Sequence, residues 1–152
     1  MRHNWTKEEV LEVYNRPMMS LLYDAATIHR ELHNPNQVQV STLLSIKTGG
    51  CPEDCGYCPQ AARYHTKVEG NDLMSVQQVK AQALRAKSSG SSRVCMGAAW
   101  RNVKDGPEFE QVLDMVSTIN KLEMEVCCTH GMLSENHSHR LAAADWYVYN
   151  HY

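Results

Sequence analysis

The sequence predicts an α/β protein in which N-terminal helices precede the first half of a (β/α)8 TIM-type barrel, with about four parallel strands. Three observations lead there. The hydrophobic period changes from helical to two near residue 37, strand-like and helix-like stretches alternate from that point, and each connection between strands is long enough for a right-handed crossover. A complete eight-unit barrel takes about 250 residues, so this length accommodates roughly half of one.

Thr6-Lys7-Glu8-Glu9 reads as a capping box opening a short helix over Val10, Val13 and Tyr14, and Pro17 suits the first turn of a second helix. Met18, Leu21, Leu22, Ala25, Ala26 and His29 recur at helical spacing and are expected to form one buried face. Residues 1–36 are therefore read as a helical layer ahead of the barrel portion at 37–152. Asn34-Pro35-Asn36 breaks the second helix, and Val38, Val40, Thr42, Leu44 and Ile46 then share one face of a first strand. That face is expected to meet the outer helices, which turns Ser45 and Lys47 toward the lumen. Ser75-Val76-Gln77-Gln78 caps a helix with Val79, Ala83 and Ala86 inward and Gly90 as its stop. Arg93 to Trp100 reads as strand two. Gly106-Pro107 opens a helix carrying Phe109, Val112, Leu113, Val116 and Ile119, and Met124 to Thr129 reads as strand three. Ser134 to Ala144 is a further helix, and Trp146 to Asn150 begins strand four. Strands one and four would be sheet edges, which invite edge-to-edge pairing.

The strongest chemical signal lies between strand one and the helix after it. Cys51, Cys55 and Cys58 stand in a C-x3-C-x2-C spacing, with Gly49, Gly50, Pro52, Gly56 and Pro59 to turn the chain tightly around them. Three thiolates are one short of a closed structural zinc site. Either a fourth ligand such as His65 completes a zinc module, or the three hold an iron-sulfur centre with an open coordination position. Strand parity suggests a second centre. Cys95 falls on the face opposite Val94 and Met96, and Cys127 on the face opposite Val126 and Cys128. Both thiols then point into the lumen from neighbouring strands about 4.8 Å apart, while Cys128 reads as core.

The cysteine spacing, with Tyr57 just before the last cysteine, resembles the signature of the radical SAM superfamily. Residues 38–60, Arg63-Tyr64 and Cys95-Met96-Gly97-Ala98-Ala99-Trp100 narrow the resemblance to the biotin synthase family, and it runs from about residue 2 to residue 151. Members of that family are roughly twice as long, so the resemblance covers an N-terminal portion. It implies a 4Fe-4S cluster on Cys51, Cys55 and Cys58, a 2Fe-2S cluster whose ligands include Cys95 and Cys127, and S-adenosylmethionine (SAM) on the open iron. Tyr57 is similar to the aromatic that meets the adenine, and Gly97, Ala98 and Ala99 to a segment near the methionyl end. Asn150 matches a polar residue that helps to hold SAM and substrate, with Lys47 as a second substrate-binding candidate. The implied reaction inserts sulfur into dethiobiotin after a 5'-deoxyadenosyl radical has removed hydrogen. A flavodoxin or ferredoxin electron donor and a homodimer are implied as well.

The chain departs from the family at Asp145-Trp146, where Gly-Leu is usual, at His130, His137 and His139, and at Tyr152, where asparagine is expected. An aspartate in place of a helix-ending glycine costs up to ~1 kcal/mol. His137 and His139 lie off one helical face, so they make a poor metal pair. Lipoyl synthase, another radical SAM family, is disfavoured because no cysteine precedes Cys51.

Composition is compatible with all of this. With 43% hydrophobic and 21% charged residues the chain is ordinary globular material, and a net charge of -2 supplies no basic stripe for nucleic acid and no polybasic membrane patch. No apolar run approaches the ~18 residues of a membrane span, and the first residues lack the apolar core of a signal peptide. A cytoplasmic location is expected. The six cysteines are accordingly read as metal ligands and core residues rather than as disulfides.

Overall fold

In the computed structural model, which describes residues 2–150, the chain forms two compact units, Met1–Val38 and Gln39–Tyr152. The first consists of helices α1 (Lys7–Tyr14) and α2 (Met18–Leu32). Helix α1 starts at the expected capping box. The Glu9 amide donates to Thr6 Oγ1 at 3.3 Å, and Glu9 Oε2 accepts from the Thr6 amide at 2.8 Å. That backbone contact, helped by Arg2, holds the Glu9 carboxyl below the usual range. Pro17 sits at the N-cap of α2, one residue before the first turn. The apolar stripe of α2 is not the buried face that its spacing suggests: no α2 residue is fully buried, and only Leu21, Asp24 and Ala26 are half-buried. An α1 of eight residues offers too little surface to cover it.

The second unit carries a four-stranded parallel sheet in the order β1 (Ser41–Lys47), β2 (Arg93–Ala98), β3 (Glu125–Thr129), β4 (Val148–Tyr149). Helices α3 (Val76–Ser88), α4 (Pro107–Asn120) and α5 (Glu135–Ala143) make the crossovers. This is the α/β architecture of the first half of a TIM barrel. Strand β1 starts later than the alternation suggests, because β2 begins at Arg93 and offers Ser41 as its first partner. The residues before Ser41 stay outside the ladder, though the Val40 carbonyl accepts from the amides of Ser92 and Arg93.

The alternation seen in the sequence sorts the two faces of the sheet. Ile46, Val94, Met96, Val126 and Cys128 are buried against Val79, Ala83, Val112, Met115, Val116, Ile119 and Leu141 of the helices. Burying each of the larger side chains contributes about 1.5–3 kcal/mol, so this layer outweighs any polar contact in the unit. At the N-terminal end of the sheet Arg93 donates to Glu125 Oε2 through Nε at 2.9 Å and Nη2 at 2.7 Å, and Gln39 donates to the same oxygen at 2.6 Å. The Arg93 guanidinium also lies 5.0 Å from the centre of the Tyr147 ring. Among the described residues no helix is long and apolar enough to cross a membrane.

The turns that feed β2, β3 and β4 each contain a left-handed residue: Gly90 at φ 89°, Glu123 at φ 59° and Asp145 at φ 64°. The hydrogen bonds of α5 show why Asp145 matters. Trp146 donates to the Leu141 carbonyl at 3.3 Å and Asp145 to the Ala142 carbonyl at 3.1 Å, the pair of bonds of a Schellman motif with Asp145 in its glycine position. Asn120 at the end of α4 reaches over and donates to the carbonyls of Ala144 and Asp145 at 2.9 and 2.8 Å. Asp145 thus carries a Cβ where the backbone favours none. Replacing Asp145 by glycine should raise the unfolding free energy in urea by about 0.5–1 kcal/mol without changing the m-value. An unchanged or lowered midpoint would show that the aspartate is not strained there.

Candidate metal and cofactor site

The cysteine loop leaves β1 through two left-handed glycines, Gly49 at φ 74° and Gly50 at φ 64°. A Cβ on Gly49 would stand 3.0 Å from Gly70 Cα, so close packing as well as φ selects glycine there. The loop then closes on itself. Cys51 donates to the Gln60 carbonyl at 3.0 Å, Ala62 donates to the Cys51 carbonyl at 2.9 Å, and the Gln60 side chain accepts from the Gly49 amide at 3.0 Å. Between these closures Cys58 donates to the Cys55 carbonyl, and Ala61 to the Cys58 carbonyl, both at 3.3 Å. The three thiols are thereby carried on a short backbone ring rather than on an open strap.

Cys51, Cys55 and Cys58 all line one cavity of about 530 Å³ at the C-terminal ends of the strands. Tyr57 edges it, and Gly97, Ala98, Ala99 and Asn150 line its walls together with Cys95. Lys47 is not brought into this wall. The register slips between Ser45 and Lys47, so the simple alternation that carries Ser45 to the cavity breaks one step before the lysine. His65, in a left-handed conformation after a 3-10 turn at Ala62–Tyr64, does not line the cavity either. His151 and Tyr152 lie outside the described residues.

Cys95 and Cys127 are register partners on β2 and β3. They share the face away from the helices, as parity suggests, with Cys95 half-buried in the cavity wall and Cys127 buried beside it. Burial first, and then the hydrogen bond and charge of Cys95, push the Cys127 thiol up to about 11, against a weaker opposing pull from Arg93. Asn150 Nδ2 donates to Cys127 Sγ at 3.2 Å, and the Asn150 amide is tied to the Cys128 carbonyl at 2.9 Å. Cys128 points the other way, into the core, and burial raises its pKa further still.

Among the described residues no three His, Cys, Asp or Glu side chains are gathered closely enough to hold a metal ion directly. The three loop thiols and Cys95 instead line one shared open cavity. Their chemistry fits an iron-sulfur group, which is bulkier than an ion and takes soft thiolate ligands. The same cavity has space for a further ligand: among the described residues no atom lies within 4 Å of where a Cβ on Gly97 would stand, so its missing side chain leaves room.

Three residues that sequence reasoning did not assign complete the site. Glu53, inside the cysteine loop, and Arg101, just after β2, both line the cavity, and Glu53 Oε2 lies 3.6 Å from Arg101 Nε. Gly131, after β3, lies against the Arg101 backbone; a Cβ there would stand 2.4 Å from the Arg101 carbonyl oxygen and 2.5 Å from that of Trp100. Met132 donates to that Arg101 carbonyl at 2.9 Å, and Val103 donates to the Met132 carbonyl at 3.1 Å, which locks the two loops together. The acidic residue between two cysteines was a readable signal, but the contact between the loops was not.

Two of the unusual histidines, His130 and His137, are buried in the scaffold. His130 is fully buried and, among the described residues, neither ring nitrogen has a hydrogen-bond partner; its ring packs edge-on to Trp100 at 5.9 Å and Tyr149 at 6.4 Å between ring centres. Burial pushes its pKa down to about 4, against a smaller upward pull from the Met96 backbone. Its amide donates to Tyr149 Oη at 3.0 Å, and that hydroxyl donates to the Gly131 carbonyl. His137 takes the place of the acid in a capping box: Nδ1 accepts from the Ser134 amide at 3.3 Å, leaving Nε2 to face Asp105 at 3.1 Å. His139 is exposed near Glu135, away from that pair.

No family model matches the chain. Curated proteins do. The chain is 82% identical over 151 residues to the biotin synthase of Flavobacterium psychrophilum and 80% identical over 151 residues to that of Christiangramia forsetii. Each alignment covers 99% of this chain and 42% of the relative. The biotin synthase of Nostoc punctiforme is 49% identical over 151 residues, 99% of this chain and 45% of the relative. The chain therefore spans less than half the length of the curated relatives it matches.

Two variants test the frame of the site. Gly131→Ala must displace backbone and should cost about 3 kcal/mol or more in urea unfolding; a cost below 1 kcal/mol would mean that the loops part easily. His130 imposes a pH dependence whose sign follows from its lowered pKa. Near pH 7 both states are neutral, and as the pH falls from about 6.5 toward 4 the unfolded chain takes up a proton that the folded chain refuses, so stability is lost. His130→Phe should lose about 2 kcal/mol less than the parent between pH 7 and pH 4.5. Equal losses would show that the imidazole titrates freely in the fold.

Proposed function

The chain is homologous over nearly all its residues to the N-terminal portion of the biotin synthases, a radical SAM family, and from that premise we propose that its cavity holds the iron-sulfur and SAM centre of a sulfur-inserting enzyme. The observation that supports the reading is that Cys51, Cys55 and Cys58 line the same cavity as Gly97, Ala98 and Ala99. Cys51, Cys55 and Cys58 would hold a 4Fe-4S cluster, and Cys95 and Cys127 would contribute to a 2Fe-2S cluster. When bound, these groups supply the electron that cleaves SAM and the sulfur that closes the ring of biotin from dethiobiotin.

The chain's own residues do the positioning. The self-closed loop fixes the order and spacing of the three thiols. Tyr57 presents an exposed ring at the cavity edge, suited to stacking on a flat heterocycle. Gly97 leaves its part of the wall bare for a ligand, and Asn150 offers amide donors at the rim beside Cys127. The same reading takes a flavodoxin- or ferredoxin-type protein as electron donor, a homodimer as the working form, residues 1–36 as a layer ahead of the barrel, and Lys47 as a substrate-facing residue. These rest on the kinship alone. A cytoplasmic location agrees with six free thiols.

Anaerobic reconstitution of the chain with iron and sulfide tests the assignment. The expected result is about four irons with matching acid-labile sulfide on the Cys51, Cys55, Cys58 loop. Serine at any of the three should abolish that cluster, whereas His65→Ala and Cys95→Ser should leave it. Retention of zinc in place of iron, with sensitivity to His65→Ala, would replace this reading by a zinc module.

A further inference from the structure

The cysteine loop concentrates negative charge. Glu53 and Asp54 lie side by side between Cys51 and Cys55, two adjacent carboxylates within the eight residues that carry the three thiols. Adjacent carboxylates repel each other unless cations stand near them. Two arginines face those carboxylates. Arg63, beyond the closure of the loop, lies 3.4 Å from Asp54, and Arg101 lies 3.6 Å from Glu53. The two differ in what stands behind them. Arg63 is close to the loop in sequence, whereas Arg101 belongs to the β2 exit, and its carbonyl is fixed by the Met132 amide and packed on Gly131. The Glu53 carboxylate is only 30% exposed and is steered on its other oxygen by the Asp54 amide at 3.1 Å.

We propose that Arg101 is a positioning residue which latches the cysteine loop over the cavity through Glu53, holding the three thiols toward the strand ends before any cluster is bound. This deepens the reading of the loop as an iron-sulfur site and rests on it. The latch connects three loops in series: the β3 exit fixes the Arg101 backbone, the Arg101 side chain engages Glu53, and Glu53 sits between the first two cysteines.

Hydrogen exchange of the cluster-free full chain reads the latch directly, because the amides of Cys51, Cys58, Ala61 and Ala62 are all donors inside the loop. Arg101→Ala and Glu53→Gln should each speed exchange across residues 51–62 about two- to fivefold, the range of a partly exposed ion pair, and leave α4 unchanged. The double charge swap Glu53→Arg with Arg101→Glu should restore slow exchange, and 1 M salt should erase the difference between parent and single variants. Glu53→Gln keeps the side-chain shape and serves where Arg101→Ala disturbs folding. Unchanged loop exchange in Glu53→Gln, or a swap that fails to restore it, would overturn the latch. Neither result depends on iron, so the latch and the cluster assignment fail separately.

Discussion

The in-register parallel pairing of β1, β2 and β3 is the constraint on which everything else in the second unit depends. Because side chains alternate strictly across a strand, pairing Val94 with Val126 commits Met96 and Cys128 to the helix side, and Cys95 and Cys127 to the other. A slip of one residue in either strand would bury Cys95 or Cys127 among the helices and expose the valines. The core and the site are therefore specified together. The apolar layer of Val79, Val112, Val116 and Ile119 supplies the free energy that holds the register, and the register in turn delivers the thiols.

The C-terminal ends of the strands, where the loops are free to vary, carry the chemistry, and the opposite end carries a packed polar cluster of Arg93, Glu125 and Gln39. This division is a general property of barrels built from parallel strands. Here it explains why so many unusual residues gather at one end. The left-handed Gly49 and Gly50, the tightly packed Gly131 and the buried ring of His130 all lie in or beside segments that leave the strand ends. The ordered sheet supports strain at these points that an isolated loop would relieve.

Much of this was readable from residue order alone, for identifiable reasons. Alternation and capping boxes are local, so α1, α3 and the β1 to β3 faces could be seen without any partner. The inward parity of Cys95 and Cys127 was legible because two consecutive strands carry the same pattern. Lys47 stands just past a register slip that no local rule announces, so the alternation running through Ser45 does not extend to it. The stripe on α2 reads as buried because periodicity reports amphipathicity and says nothing of what stands opposite. Gly131 escaped notice for a similar reason: its requirement is set by a carbonyl of Arg101, thirty positions earlier in sequence, and only the folded backbone brings them together. Asp145 was caught by likeness to a family, and its positive φ supplies the physical ground for the mismatch.

The closure of the cysteine loop on itself has a further consequence. Since the Cys51 amide and carbonyl both bond to the segment at Gln60 to Ala62, the entry and exit of the ring lie side by side, and most of its internal geometry is independent of the sheet below. Such a segment behaves as a portable cassette: it can be lengthened, exchanged or moved to another parallel scaffold at little cost in chain entropy, because its ends already meet. What does not travel with it is orientation. A cassette of this kind brings its ligands along but must be aimed anew by each host, and the aiming contacts are where two hosts of the same loop would differ most.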